Sequence, residues 1–590
     1  MVFKKSMTSL AVLLSLALVG CDGDDGQDGV NGVDGANGVN GQDGAPGPAA
    51  VSGIALTPVG RIVLNAEGAA EIVQYHAASQ MIYAINSSDD TVEMIDASGL
   101  TSEALAAPIS ETNLVSTALA LPTEVDGVAL GGANSIAVSG DLMAVAIEAD
   151  SQADKGFIVF YNGLNDGAPM MLSAVEVGNL PDMVTFTPDG SKVLVANEGE
   201  PSGDYSNDPE GSIAVIAVAD GVPADTATLI GFTAYNGMQA ELEAMGMHFP
   251  NPAGRTINGN LIETTVAQDL EPEYITATNA MAYVTLQENN GLAIVDLSDN
   301  SVQVIGLGFK DWAGLNLDGN EDGTVSFGQY DGLYGVYMPD TIASFSWNGA
   351  PFLVTANEGD AREYFFDVAD EAACVAAGGQ DYDEDDGCLA FTEEVKLEEL
   401  PAVAGSKLEA LQLGGEISGL RVSNALGEVD GEYEHAYAYG ARSFTIWDQN
   451  GMVVFDSGDE IERITAAVHG NAFNNGDDEN EGDSRSENKG AEPEALTVGV
   501  MDDKTYAFVG LERMGGIMVY DVTNPYNSRF ETYVINRDLT EGLTAEDGIG
   551  DLAPESLVYV ADTDSPTGNP LLLVGNEVSG SLTVWEITAQ

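Results

Sequence analysis

Two kinds of acidic residue recur at matching points of a repeated unit in this 590-residue chain. One follows proline: Asp182, Glu273, Asp340, Glu494 and Glu555. The other closes an apolar run: Glu198, Glu288, Glu358, Glu512 and Glu577. If the units are arranged radially, each set forms a ring facing a central channel. Carboxylates crowded in this way cannot all stay ionised without cations or hydrogen-bonded partners. Many hard oxygen ligands in one place suit Ca2+. One expectation is therefore Ca2+, or a substrate-bound metal, near the channel mouth. The other is a structural latch, in which each acid caps backbone N–H groups of the neighbouring unit's turn.

Further candidates stand outside the repeat. Asp318, Asn320 and Asp322, followed by Gly323, fit the start of a Ca2+ loop, where alternating oxygens converge and glycine permits the sharp turn. The twelfth position is Gln329 rather than glutamate, so a complete EF-hand is excluded. The run Asp381, Asp383, Asp385, Asp386 is out of register by one and ranks lower. Bases are scarce, which singles out Arg362, Arg442 and Arg513. Their guanidinium groups suit a phosphate or carboxylate ligand, or else neutralise local carboxylates. Only four histidines exist, none paired at zinc spacing, and His435 is the one to test for proton transfer. No nucleophile elbow, P-loop or dinucleotide fingerprint stands out, so catalytic residues remain unassigned.

The elements that would position these residues repeat with them. Each unit reads as proline, an acid, an apolar strand, a turn, a second strand ending in glutamate, a Gly/Asn turn and a third strand. Strong copies begin at Pro181, Pro272, Pro339, Pro493 and Pro554; weaker ones run from Ile72 to Ile95 and from Asn134 to Glu148. Short strands with glycine turns, repeated about eight times, predict an all-β fold: a β-propeller of seven or eight blades over residues 54–590. The repeated glutamates are unevenly spaced, which predicts long loop insertions, most clearly at 380–387 and 474–489.

The N-terminus reads as an address. Lys4 and Lys5, an apolar run from Leu10 to Val19, and Gly20-Cys21 form a lipoprotein signal over residues 1–20. Leu18-Val19-Gly20-Cys21 resembles a bacterial lipobox, which implies lipidation of Cys21 and a membrane partner through that lipid. The expected location is the bacterial envelope, with the outer membrane or cell surface ahead of the inner membrane. From Gly23 to Gly47 glycine falls at every third residue, a collagen-like register within a 21–53 stalk. The triplets are poor in proline, so a solvated stalk is expected ahead of a trimerising one. Cys374 and Cys388 remain, and in an oxidising compartment they read as a local disulfide.

With 95 Asp+Glu against 19 Lys+Arg, the net charge is −76. That charge excludes sequence-independent binding to nucleic acid, whose phosphates would be repelled. It equally disfavours a basic patch on anionic lipid.

Several segments resemble the choice-of-anchor I family: LPDMVTFTPDGSKVLVANEGEP (180–201), LEPEYITATNAMAYVTLQENNGLAIVDL (270–297) and YMPDTIASFSWNGAPFLVTANEGDAREY (337–364). So do YGARSFTIWD (439–448), EPEALTVGVMDDKTYAFVGLERMGGIMVYDVTNP (492–525) and APESLVYVADTDSPTGNPLLLVGNEVSGSLTVWEI (553–587). That family is similar to a mesenchyme-specific cell-surface glycoprotein linked to biomineral deposition, and its bacterial members are often labelled alkaline phosphatases. The resemblance implies a surface β-propeller and brings no catalytic set. The expected function is a lipid-anchored propeller that binds Ca2+ and an extracellular ligand, mineral or polymer. The alternative is a Ca2+-dependent phosphoesterase acting on a phosphorylated small molecule.

Overall fold

The computed structural model describes residues 53–589, apart from 65–66, 252–253 and 384–385. The signal, Cys21 and the glycine-triplet segment lie outside the described residues. No helix among the described residues is long and apolar enough to cross a membrane.

Seven antiparallel meanders succeed one another among the described residues. Their first strands are Val73–His76, Val128–Ser139, Pro181–Phe186, Ile275–Ala277, Ile342–Trp347, Pro493–Met501 and Pro554–Val560. Each of these inner strands packs on the next, and the seventh returns to the first, so the sheets close a ring. This is a β-propeller. The seventh sheet is completed by the N-terminal strand Ile54–Val63, which pairs antiparallel with Ser581–Ala589. Joining the first and last described strands in one sheet leaves no open edge between the first and last units.

The core is distributed, one apolar layer between each pair of neighbouring sheets. Leu194 and Ala196 of the second strand in sheet three face Val284 and Ile275 of sheet four. Val193 and Val195 between them face Ala144 and Ala146 of sheet two. Side chains alternate faces along a strand, and both faces here are covered, which is why Val193-Leu194-Val195-Ala196 is continuously apolar. The hairpins follow ordinary turn chemistry. Asp502 and Asp503, both at positive φ (51° and 62°), join Pro493–Met501 to Lys504–Leu511 as a two-residue turn whose twist matches the strands.

The expected insertions are real and they associate. Segments around 307–338 and 358–442 build a five-stranded sheet in which Leu333–Val336 runs parallel to Ala436–Ala438. Within the longer insertion, Tyr364–Phe366, Gly387–Phe391 and Asp381–Asp383 form a small sheet. There the expected Cys374–Cys388 disulfide is formed, with the Cα atoms 5.2 Å apart.

Candidate metal centre

Each inner strand opens on the same pattern. A proline or alanine is followed by a polar residue, then a variable one, then a buried aliphatic. The polar position holds Glu71, Asn134, Asp182, Glu273, Asp340, Glu494 and Glu555. Five of these are the acids that follow proline. Glu71 escapes that signal because Ala70 stands in the proline's place, and Asn134 because it is neutral.

The second set needs one adjustment of register. Strand pairing aligns Leu286 opposite Gly291 as it aligns Asn197 opposite Ser212 and Asn357 opposite Ser443. Gln287 is thus the counterpart of Glu198 and Glu358, and Glu288 lies one residue further on. Gln287 Nε2 donates to Glu358 Oε2 at 3.0 Å.

Backbone geometry ties the two sets together. Leu180, Glu492 and Ala553, each just before a unit's proline, are left-handed at φ 46°, 52° and 54°. Their carbonyls accept the N–H of Glu198 (2.9 Å), Glu512 (2.8 Å) and Glu577 (2.8 Å). A non-glycine residue in this region costs about 1–2 kcal/mol, so the recurrence marks a conformation imposed by its surroundings.

The result is an acidic mouth, a cavity of about 330 Å³. It is lined by Asp182, Glu198, Glu273, Glu288, Asp340, Glu358, Glu494 and Glu555, joined by Glu71, Glu200 and Asp360. Three groups of carboxylates converge, each offering oxygens within 4.8 Å of one another: Glu198–Glu271–Glu288, Asp340–Glu358–Glu494 and Glu358–Glu492–Glu512. Oxygens so spaced can share a cation bound at about 2.3–2.6 Å. Buried oxygens of Glu71, Glu288, Glu494 and Glu512 have no hydrogen-bond partner. Such atoms are costly unless a ligand satisfies them.

Burial dominates the electrostatics, reinforced by neighbouring acids. It pushes Glu71 up to about 8, Glu555 and Glu200 to about 7, and Asp182 to about 6. Glu198, Glu273, Asp340, Glu494 and Glu512 are driven well above the usual carboxylate range. Glu492 is the exception. Burial opposes its ionisation too, yet Lys489, Arg485 and Arg513 hold it near about 2.

These acids do not form the expected latch, and a contact of that kind is made by Asn197 instead. Among the described residues, no acid of either set accepts a hydrogen bond from a backbone N–H in an adjacent sheet's turn. In the third sheet the asparagine preceding the glutamate does so. Asn197, fully buried, accepts from Gly178 N–H at 2.9 Å and donates to the Ser212 carbonyl at 3.1 Å. Asn576 likewise donates to the Ser581 carbonyl at 3.0 Å.

The remaining candidates lie elsewhere. Glu512 sits behind Glu358, and Glu577 is half-buried near Asp477 and Arg513. Arg513 pairs with Asp477, with Glu512 at 3.1 Å and with Glu492 at 3.4 Å. Arg362 is buried against Asp269 and Glu271 (2.5 Å). Arg442 bonds Glu462 (2.5 Å) and the carbonyls of Asp318, Ser486 and Asn488. All three guanidinium groups thus act as internal counter-charges. Lys489, which sequence reasoning missed, reaches Glu358 (2.9 Å), Asp360 and Glu492 (both 3.1 Å) from an insertion.

In the Asp318 loop the carboxylates serve the loop itself. Asp318 accepts from Ser326 N–H, and Asp322 from Thr324 N–H at 3.0 Å. Asp483 takes the N–H groups of Asp322, Gly323 and Thr324. Asn320 donates its own N–H to Asp318 at 3.4 Å. His435 packs edge-on to Tyr334 in the inserted sheet, away from the mouth's lining.

Among known proteins, the chain is similar to Gigasin-3a of Magallana gigas, 29% identical over 193 residues that cover 31% of this chain and 68% of that one. It is 30% identical over 291 residues to the mesenchyme-specific cell surface glycoprotein of Strongylocentrotus purpuratus, covering 45% of this chain. That match spans only 36% of the glycoprotein's own length. Solved structures it resembles include the RRP9 WD40 repeats (8% identity, TM-score 0.40, covering 90% of this chain and 100% of that one). Another is streptogramin B lyase (9% identity, TM-score 0.39, 91% and 98%). Neither likeness bears on function. The choice-of-anchor I domain matches residues 71–525, from the first ring acid into the sixth sheet, and the chain belongs to the choice-of-anchor I family.

Proposed function

We propose that the acidic mouth is a Ca2+ site, and that this chain is a lipid-anchored surface propeller using it to bind an extracellular ligand, mineral or polymer. One observation carries the reading: carboxylate oxygens converge to within 4.8 Å, and buried oxygens of Glu288 and Glu494 among them lack any partner. A buried carboxylate left unpaired is expensive, and a divalent cation is the ligand that relieves several at once. The triad with Glu492 is served by three cationic side chains, Lys489, Arg485 and Arg513, whereas Glu198–Glu271–Glu288 and Asp340–Glu358–Glu494 each hold one, Arg362 at Glu271 and Lys489 at Glu358, so the cation is assigned to these two. The seven sheets are read as seven blades, and residues 1–20 and 21–53 as signal and stalk. The glycoprotein relative, named for the cell surface, supports that location.

The test is calorimetric titration of Ca2+ into EDTA-stripped protein, with E288Q and E494Q alongside. Binding in the parent and at least tenfold weaker binding in the variants is expected. No heat, together with an unchanged melting temperature on chelation, removes the cation reading. The same preparation is assayed with a phosphomonoester and phytate, with and without Ca2+. Ca2+-dependent turnover would replace the binding function with phosphoester hydrolysis.

A further inference from the structure

Below the mouth the channel continues as a second cavity of about 440 Å³, within the range of about 300–1,000 Å³ usual for small-molecule sites. Its chemistry reverses that of the chain. In a sequence with 95 acids, Glu555 at the upper end is the one acid among its described lining residues.

The lining is written into the repeat. Three residues after the ring position, four inner strands carry Gln74, Thr185, Thr276 and Thr497, and the other three carry Ala137, Ala343 and Val558. Thr276 bonds Ser344 at 2.9 Å. Gln74, Thr185 and Thr497 are half-buried and make no side-chain hydrogen bond to the described residues, so their polar atoms are free for a ligand.

Tyr274 and Glu555 line both cavities. The Tyr274 hydroxyl donates to Glu555 Oε1 at 3.2 Å, across the ring from the fourth sheet to the seventh. This crossbar divides the channel. The lower chamber adjoins the mouth at this contact and extends toward the far ends of the inner strands, at Ser139 and Thr187.

We propose that this chamber binds a neutral carbohydrate unit. Hydroxyl and carboxamide groups both donate and accept, as sugar hydroxyls require, whereas carboxylates only accept. The aliphatic groups set among them suit the C–H faces of a pyranose. An anionic sugar would be repelled by the acids above, and a cation would be drawn past the chamber to the mouth. This assignment does not rest on the Ca2+ reading.

The test uses saturation-transfer NMR and calorimetry on the full chain with glucose, galactose, N-acetylglucosamine and maltotriose, each in EDTA and in Ca2+. At least one sugar is expected to bind in both media. T185V/T497V, isosteric and without the hydroxyls, is expected to weaken binding at least tenfold while Ca2+ binding persists. Should that variant fail to fold, Q74L is read in its place. Absence of binding by all four sugars, or binding that neither variant alters, overturns the proposal. Binding abolished by EDTA overturns it as well, since it would assign the sugar to the cation site.

Discussion

The Asn-Glu pairs at the ends of second strands divide two tasks between adjacent residues. Asn197 ties the turn to the third strand, and Glu198 is left for the mouth. N197A should therefore cost about 1–3 kcal/mol, the desolvation of its orphaned partners, and leave Ca2+ affinity within a factor of two. E198Q should do the reverse. It replaces a carboxyl group that burial and neighbouring acids already hold toward its neutral form, so the melting temperature in EDTA should stay nearly unchanged while Ca2+ affinity falls at least tenfold. Thermal unfolding and calorimetry on the two variants separate the roles. Lys489 tests the compensated side of the mouth. K489M strands Glu358, while Glu492 keeps Arg485 and Arg513, and should cost about 3–5 kcal/mol in urea unfolding, partly restored by Ca2+. The five proline-flanked acids were legible in sequence because proline marks the start of the inner strand. Lys489 was not, since its contact with Glu358 spans 131 residues and depends on how an insertion folds back.

At the scale of elements, the inner strands and their repeat were readable because apolar runs covered on both faces differ so sharply from glycine and asparagine turns. The insertions were readable only as irregular spacing. Their strands are short, as in Phe309–Asp311 and Ala436–Ala438, and the pairing of Leu333–Val336 with Ala436–Ala438 spans more than 100 residues, so no local pattern announces them. Two buried contacts fasten the long insertion to the ring. Arg362 joins Asp269 and Glu271, and His248 Nε2 lies 2.7 Å from Glu393 Oε1. R362M should leave two buried carboxylates without their counter-charge. The expected outcome is preferential proteolytic cleavage within 358–442 while the far-ultraviolet signature of the β-sheet persists. Uniform resistance to protease would mean that the insertion is held by its apolar packing alone. The closing strand makes the complementary case. Arg61 pairs with Asp551 at 2.7 Å, both buried, and Asp551 also accepts from Ser581 and Thr583. R61A should lower the melting temperature of the whole ring rather than loosen one part of it, because this strand completes a sheet begun at the other end of the chain.

For the whole molecule, the net charge of −76 is mostly solvated surface, and surface carboxylates finish titrating by about pH 6. The mouth continues beyond that. Glu71, Glu200, Glu555 and Asp182 carry folded-state values of about 8, 7, 7 and 6, above their unfolded values of 4.5 for glutamate and 3.8 for aspartate. Between the unfolded and folded values the folded chain holds more protons than the unfolded one, so stability falls as pH rises. The contribution is complete below about pH 4 and gone above about pH 8. Glu492 runs the other way, stabilising above 4.5 and losing that effect only as pH falls toward about 2, outside this window. The other mouth acids that burial raises, Glu198, Glu273, Asp340, Glu494 and Glu512, act in the same direction. In EDTA, the melting temperature should therefore decline from pH 6 to 8. Ca2+ binds the deprotonated carboxylates, so its stabilisation should grow over the same range, reaching about 2.7 kcal/mol when free Ca2+ is a hundredfold above Kd. The two melting curves should diverge with pH, nearly level in Ca2+ and falling in EDTA. A profile in EDTA that is flat or rising would mean that the mouth is already neutralised by the protein's own cations. A gap that stays constant with pH would place the bound Ca2+ away from the ring.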